Sequence, residues 1–129
     1  MANPFYNHNI FAEICKYMSL QELIKLEQLS KYHKDIIRNY PWDHLMVRLR
    51  NKTLYVLKMY KFMKYDLSFT KVTDESVKHL KCHTLIIVGT NVTDESVKHL
   101  KCDTLYLVHT KVSDKTVELL RENGSRVFI

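Results

Sequence analysis

A chain of 129 residues can form one domain or two very small ones. Hydrophobic residues make up 46% of it, and two glycines and two prolines are too few for a disordered composition. The formal net charge of +6 lies entirely within residues 45–129, because residues 1–44 carry five basic and five acidic side chains. An excess of basic residues can indicate an acidic or nucleic-acid partner, but it is also common on a surface that is simply well solvated.

The start of the chain does not resemble a secretory leader, because no basic region is followed by an apolar run. No stretch approaches the roughly 18 apolar residues of a membrane span. Three cysteines, an odd number, do not suggest a disulfide framework. We therefore expect an intracellular protein, cytoplasmic or nuclear, with reduced thiols and no membrane partner.

Residues 1–44 predict three short helices. Apolar residues recur at helical spacing through residues 10–18. Ser19 and Glu22 then stand at the spacing of a capping box, which marks the start of a second helix. A third helix follows and ends before Pro41. A bundle of this size buries only a small hydrophobic core, so we expect it to pack against the rest of the chain, against a partner protein, or against both.

A sequence repeat occupies the second part of the chain. The stretch from Val72 to Cys82 recurs unchanged at residues 92–102, and a looser copy begins at Val112, so both offsets are 20 residues. Such a period is typical of a solenoid, whose units bury their apolar sides only by stacking. The unit is Leu-x-Leu-x-x-Thr-x-Val followed by a short helix. Its aligned columns are Leu45, Tyr65, Leu85 and Leu105; Val47, Leu67, Ile87 and Leu107; Arg50, Thr70, Thr90 and Thr110; and Lys52, Val72, Val92 and Val112.

Polar residues of the repeat have predicted structural roles. Thr73 and Thr93 are expected to cap the short helices, with Asp74 and Asp94 in the first turns. The hydroxyls of the threonine column are expected to bond the loop backbone of the neighbouring turn.

The predicted domains are a helical segment, 1–44, and a repeat array, 45–129. Gly124 should end the last helix, and no polar cap is evident for the strand after it. This bare edge suggests a homodimer through the terminal strand, a bound partner or a tendency to aggregate. The array is divided into a degenerate first repeat at 45–64, repeats at 65–84, 85–104 and 105–124, and a terminal strand at 125–129.

The N-terminal segment resembles an F-box. The resemblance is carried by residues 13–20 (Glu-Ile-Cys-Lys-Tyr-Met-Ser-Leu), by residues 22–31 (Glu-Leu-Ile-Lys-Leu-Glu-Gln-Leu-Ser-Lys) and by the closing Pro41-Trp42-Asp43-His44-Leu45. The Leu-Pro pair that opens the family pattern is replaced by Tyr6-Asn7. In the family this module grips the Skp-type adaptor of cullin–RING ubiquitin ligases. By that resemblance the adaptor-binding residues are Tyr6, Asn7, Ile10, Leu20 and Leu23.

The array resembles the short, cysteine-containing type of leucine-rich repeat that is common behind F-boxes. Together the two resemblances imply an α+β chain: a three-helix F-box-like bundle, then a short solenoid with parallel strands and one short helix per repeat. They also imply a function, that of the substrate-recognition subunit of an SCF-type (Skp, cullin, F-box) ubiquitin ligase. Compact proteins of this kind resemble some that large DNA viruses carry. The alternatives are a ligase-independent protein-binding scaffold, a decoy that occupies the adaptor, and a nucleic-acid-binding protein.

The strands predict where an unknown target protein would bind. Residues that alternate with the buried leucines point to solvent and line the concave face. In the later repeats these residues are apolar, and contiguous exposed apolar surface marks binding sites. The predicted target-binding residues are Arg48, Asp66, Ile86, Val88, Tyr106 and Val108.

No pattern in the sequence predicts an enzyme, a catalytic residue, a cofactor or a metal site. His79-x-x-Cys82 recurs as His99-x-x-Cys102, which has the appearance of four zinc ligands. The helical spacing, however, directs each cysteine inwards and each histidine outwards. Rows of lysines on the helices could contact phosphates, but the acids interleaved with them disfavour nucleic acid as a partner.

Overall fold

The computed structural model describes residues 18–29, 34, 37–38 and 41–129. Helix α1, Leu20–Leu29, begins with the predicted capping box: the Ser19 N–H donates to Glu22 Oε1 at 3.3 Å, and the Glu22 N–H donates to Ser19 Oγ at 3.2 Å. The second predicted helix is thereby confirmed. The first predicted helix and most of the third lie outside the described residues, as do the adaptor candidates Tyr6, Asn7 and Ile10.

The described residues form an α+β structure in which strands alternate with short helices. Five parallel strands lie side by side in the order β1-β2-β3-β4-β5, the arrangement expected of a repeat solenoid. The strands are β1 Pro41–Arg48, β2 Lys61–Asp66, β3 Thr84–Ile86, β4 Thr104–Tyr106 and β5 Arg126–Phe128. The helices between them are a 3₁₀ turn at Asn51–Thr53, α2 Val56–Met59, α3 Asp74–Val77, α4 Asp94–Val97 and α5 Asp114–Glu122.

The register of the central strands confirms the predicted period. Tyr65 pairs with Leu85, and Leu85 pairs with Leu105, so each step is 20 residues. All three side chains are buried. The inward column of the array is therefore the one that the repeat pattern predicts.

The predicted alignment of the first repeat is wrong by two residues. Val47, and not Leu45, pairs with Tyr65, and Leu49 follows beside Leu67, since its N–H donates to Asp66 O at 3.0 Å. β1 also begins at Pro41, four residues before the predicted boundary at 44/45. The first repeat lacks the threonine and valine columns, so the sequence offers no anchor for its register.

The last repeat is also longer than predicted. Leu105 pairs with Val127, an offset of 22 residues, because α5 has nine residues where α3 and α4 have four. Phe128 consequently lies beside Tyr106, a place that a 20-residue period would give to Arg126.

The threonine column has a different role from the one expected. The hydroxyls of Thr70, Thr90 and Thr110 donate to the carbonyl three residues earlier in their own turn, at 2.7, 2.8 and 2.7 Å. They close the loop after each strand and, among the described residues, bond no atom of the neighbouring repeat, so the expectation of bonds between turns is wrong for these residues.

In the central repeats, aspartate side chains accept hydrogen bonds from the following turn. The N–H and the hydroxyl of Thr93 donate to the Asp74 carboxylate at 2.9 and 2.6 Å, and the Ser96 hydroxyl donates to it at 2.7 Å. One repeat later, the N–H and hydroxyl of Ser113 donate to Asp94 at 2.8 and 2.7 Å. Thr93 caps α4 as predicted, through the Glu95 N–H, whereas the Thr73 side chain makes no cap bond to α3. We call this set of bonds the aspartate clasp.

Helix α1 is joined to the array by a buried carboxylate. Glu27 is only 8% exposed and accepts hydrogen bonds from the Tyr60 hydroxyl and from Arg38 Nε, the latter at 2.9 Å. Arg38 Nη2 also lies 2.7 Å from Glu27. Burial, and then the hydrogen bond and charge of Glu27, raise the pKa of Tyr60 well above its usual range, so this hydroxyl stays protonated. We call these three residues the junction cluster.

Candidate binding face

The strands present one side of the sheet to solvent, and we call this side the open face. Because successive side chains point to opposite faces of a strand, the buried column of Tyr65, Leu85 and Leu105 fixes its neighbours as outward. The outward row runs across all five strands. Its members are Arg48, Asp66, Ile86, Tyr106 and Phe128.

The first two strands give this row a charged end. Arg48 Nε lies 3.8 Å from Asp66 Oδ2, and the Arg48 side chain is 75% exposed. An ion pair this exposed contributes little stability, so Arg48 remains available to a partner.

The other end of the row is apolar and aromatic. The rings of Tyr106 and Phe128 stack, with centroids 4.6 Å apart and planes at 13°. Ile86 pairs with Tyr106 on the next strand, and Phe128 is 46% exposed. Aromatic rings of this kind supply large contact area at low entropic cost, which is why they are common in protein interfaces.

A second outward row broadens the apolar end. Val88 and Val108 are partly exposed, and their carbonyls accept the N–H groups of Phe69 and Gly89 at 2.9 and 3.0 Å, so the backbone of this row is hydrogen-bonded across the sheet. All six predicted target-binding residues lie on the open face. The apolar patch within it consists of Ile86, Val88, Tyr106, Val108 and Phe128.

Phe69 adds an aromatic surface that the sequence reasoning missed. Its side chain is 72% exposed, and its ring covers Gly89, where an added Cβ would lie 2.6 Å from the ring carbons Cδ1 and Cε1. Phe69, Gly89 and His109 have φ values of 59°, 67° and 56°, so this position of the repeat requires a left-handed backbone. Gly89 is the one feature of the sequence that could have indicated a left-handed backbone at this position of the repeat.

The two adaptor candidates on α1 differ in exposure. Leu20 is partly exposed, whereas Leu23 is 0% exposed and belongs to the same buried cluster as Ile37 and Trp42. The indole Nε1 of Trp42 donates to Ile37 O at 2.9 Å. Leu23 is therefore placed in the core, and of these two candidates only Leu20 presents surface to a partner.

The repeated cysteines and histidines separate as the helical spacing predicts. Cys82 and Cys102 are buried, with their Sγ atoms 3.3 Å apart, while His79 and His99 are exposed. Within the described ranges, no group of three or more His, Cys, Asp or Glu side chains could hold a metal ion.

The lysine rows are partly neutralised. Lys78 lies 2.9 Å from Glu75, and Lys98 lies 3.5 Å from Glu95. These pairs are exposed and weak, but they place acids among the bases, which dilutes the positive field that a nucleic acid would require.

The terminal strand has one polar cap that was not predicted. Arg121 of α5 donates from Nη2 to Val127 O at 2.8 Å, on the side of β5 turned away from β4. Of the described strands, none lies beyond β5. Arg121 thereby occupies one of the backbone acceptors that edge-to-edge pairing would use.

None of the helices in the described part of the chain is long and apolar enough to cross a membrane. No family model, curated protein or solved structure matches the chain.

Proposed function

We propose that this chain is a protein-recognition subunit of an SCF-type ubiquitin ligase, cytoplasmic or nuclear, that binds a target on its open face. Its N-terminal segment would dock on a Skp-type adaptor and, through it, on a cullin. The chain would supply two binding surfaces and no chemistry, because a conjugating enzyme performs the transfer.

The apolar patch on the open face carries the target-binding half of this proposal. Five largely apolar side chains share one solvent-facing surface: three lie on the neighbouring strands β3, β4 and β5, and two lie in the turns that follow β3 and β4. Contiguous apolar surface of this kind is favourable to bury against a partner. The stacked pair of Tyr106 and Phe128 is preorganised, so little side-chain entropy is lost when it is covered.

The same face suggests the chemistry of the target. The apolar patch would accept an aliphatic or aromatic anchor. Exposed Arg48 lies in the same row, two strands before Ile86, and exposed Arg126 precedes Phe128 by two residues on β5. An apolar segment with acidic flanks complements this arrangement, and such charges would set orientation more than affinity.

The adaptor-binding half rests on the F-box resemblance of residues 10–45, on the capping box that opens α1, and on the exposed part of Leu20. One observation favours the second candidate, a ligase-independent binding scaffold or an adaptor decoy. Leu23 and Trp42 are buried, and Glu27 is bonded to Tyr60 of the array. In that case α1 would serve as the cap that covers the first repeat.

The open face is tested by proximity crosslinking in cells with Tyr106→Lys/Phe128→Lys. We expect the partner recovered with the wild type to fall at least about tenfold, because two charges on the patch would have to be desolvated on binding. Leu119→Lys is the matched control, since Leu119 is 46% exposed on α5 and lies outside the patch. Equal recovery with both variants, each shown folded by circular dichroism, would remove the open face from the proposal.

A further inference from the structure

Two buried thiols face one another across adjacent repeats. Cys82 and Cys102 are 4% and 3% exposed, and their Sγ atoms are 3.3 Å apart. They occupy equivalent positions, 20 residues apart, so the pair follows directly from the stacking of the repeats.

The backbone on either side of the pair is held by hydrogen bonds. The His83 N–H donates to Met63 O at 2.7 Å, and the Thr104 N–H donates to His83 O at 2.9 Å. Neighbouring strands of a sheet are about 4.8 Å apart. A disulfide joins Cα atoms about 4.4–6.8 Å apart, so the sulfurs could bond with little backbone movement.

One thiol of the pair, that of Cys82, borders a groove with mostly basic walls. Cys82 lines an open groove of about 690 Å³ whose other walls include Lys78, Lys81, Lys101 and His79. The hydrogen bond to Cys102, and then burial, raise the pKa of the Cys82 thiol. The hydrogen bond between the two sulfurs lowers the pKa of Cys102, so within the pair Cys102 ionises first.

We propose that Cys82 and Cys102 are a redox modification site, which a hydroperoxide converts to a disulfide between adjacent repeats. In the first step a thiolate of the pair attacks the peroxide: an S–O bond forms, the O–O bond breaks, and the leaving oxygen takes up a proton. The sulfur is then a sulfenic acid. In the second step the other sulfur attacks it, an S–S bond forms, the S–O bond breaks and water leaves. Two thiols are oxidised, and one hydroperoxide is reduced to water and an alcohol, or to two waters.

The crosslink would tie the turn before β3 to the turn before β4, behind strands that contribute Ile86 and Tyr106 to the open face. Reduction by a dithiol would reverse it. Disulfides that form in reducing compartments are usually transient and redox-sensing, which suits such a pair. The approach of the two sulfurs to 3.3 Å does not depend on what the open face binds.

The test treats the Cys15→Ser protein with a small excess of hydrogen peroxide and measures its intact mass without reductant. We expect a product lighter by two hydrogen atoms, monomeric, that loses both maleimide-reactive thiols when denatured and regains them with dithiothreitol. Trypsin should release the peptide of residues 82–98 linked to that of residues 102–111. Cys82→Ser and Cys102→Ser, each in the same background, are the matched controls and should show no such loss of mass.

Retention of both thiols in the folded, peroxide-treated protein would overturn the proposal, and so would oxygen addition or crosslinked dimers as the main products. If the Cys15→Ser protein does not fold, the tryptic peptide map of the oxidised wild type shows which cysteines are linked. A link between residues 82–98 and 102–111 supports the proposal, and a link from either peptide to the one that holds Cys15 contradicts it.

Discussion

The Glu27→Ala protein is expected to unfold with a free energy about 3 kcal/mol lower than that of the wild type. Glu27 accepts both hydrogen bonds of the junction cluster. Its removal therefore leaves the Tyr60 hydroxyl and the Arg38 guanidinium without this acceptor. Breaking a buried, hydrogen-bonded charge pair typically costs about 3–5 kcal/mol. The lower end applies here because the Arg38 side chain is 32% exposed and keeps part of its hydration.

Urea denaturation followed by the fluorescence of Trp42, the single and fully buried tryptophan, measures this effect. Gln28→Ala is the matched control, since Gln28 is the exposed neighbour of Glu27 on α1. A double-mutant cycle between Glu27→Gln and Tyr60→Phe should also give a coupling energy clearly above zero. Equal midpoints for Glu27→Ala and Gln28→Ala would show that the junction cluster does not stabilise the fold.

The second large effect concerns the aspartate clasp. We expect Asp74→Ala and Asp94→Ala each to lose about 2 kcal/mol of stability at pH 7, because each removes charge-assisted bonds between stacked turns. Asp114→Ala is the matched control. It is the equivalent aspartate of the third repeat, and no later turn donates to it in the described structure.

The clasp also makes stability depend on pH. Hydrogen bonds from the Ser113 N–H and hydroxyl lower the pKa of Asp94. Desolvation by burial raises the pKa of Asp74, but the hydrogen bonds from Thr93 and Ser96 together outweigh it, so this pKa is also lowered. Each carboxylate binds a proton less readily when folded than when unfolded. Its contribution is therefore fully present above about pH 5, and it is lost as the pH falls below the unfolded pKa of about 4.

The double variant Asp74→Ala/Asp94→Ala should consequently lose less stability between about pH 5 and pH 2 than the wild type does. Denaturant midpoints measured across that range give the comparison. Parallel curves for the two proteins would mean that the clasp carries no proton linkage.

The central repeats could be predicted from the sequence because they resemble one another closely. Two identical eleven-residue stretches fix the period, and the alternation at Leu85 and Ile87 fixes which side is buried. The same alternation predicts which side chains point outward, and Ile86, Tyr106 and Val108 are partly exposed as that alternation requires.

The ends of the array carry no such signal. β1 lacks the threonine and valine columns, and the extra residues of α5 displace β5 by two positions. The stacking of Phe128 on Tyr106 depends on that displacement, so the strict period could not reveal it.

Contacts between residues that are far apart in the chain could not be predicted from the sequence either. The local sequence predicts Asp74 only as an acidic residue in the first turn of a helix. Its hydrogen bonds with Thr93 form only because the repeats stack. Leu23 sits on an apolar helical stripe, and a stripe alone does not distinguish a core from an interface. The junction cluster likewise joins residues 33 positions apart.

Binding to a purified Skp-type adaptor, measured by titration calorimetry, tests the proposed function most directly. We expect one chain to bind one adaptor, with affinity at least tenfold weaker for Leu20→Asp and unchanged for Gln21→Asp, a change at an exposed position on the same helix. Circular dichroism would establish that both variants fold. An absence of heat and of co-elution for the wild type, at tens of micromolar, would contradict the ligase assignment and leave α1 as the cap of the repeat array.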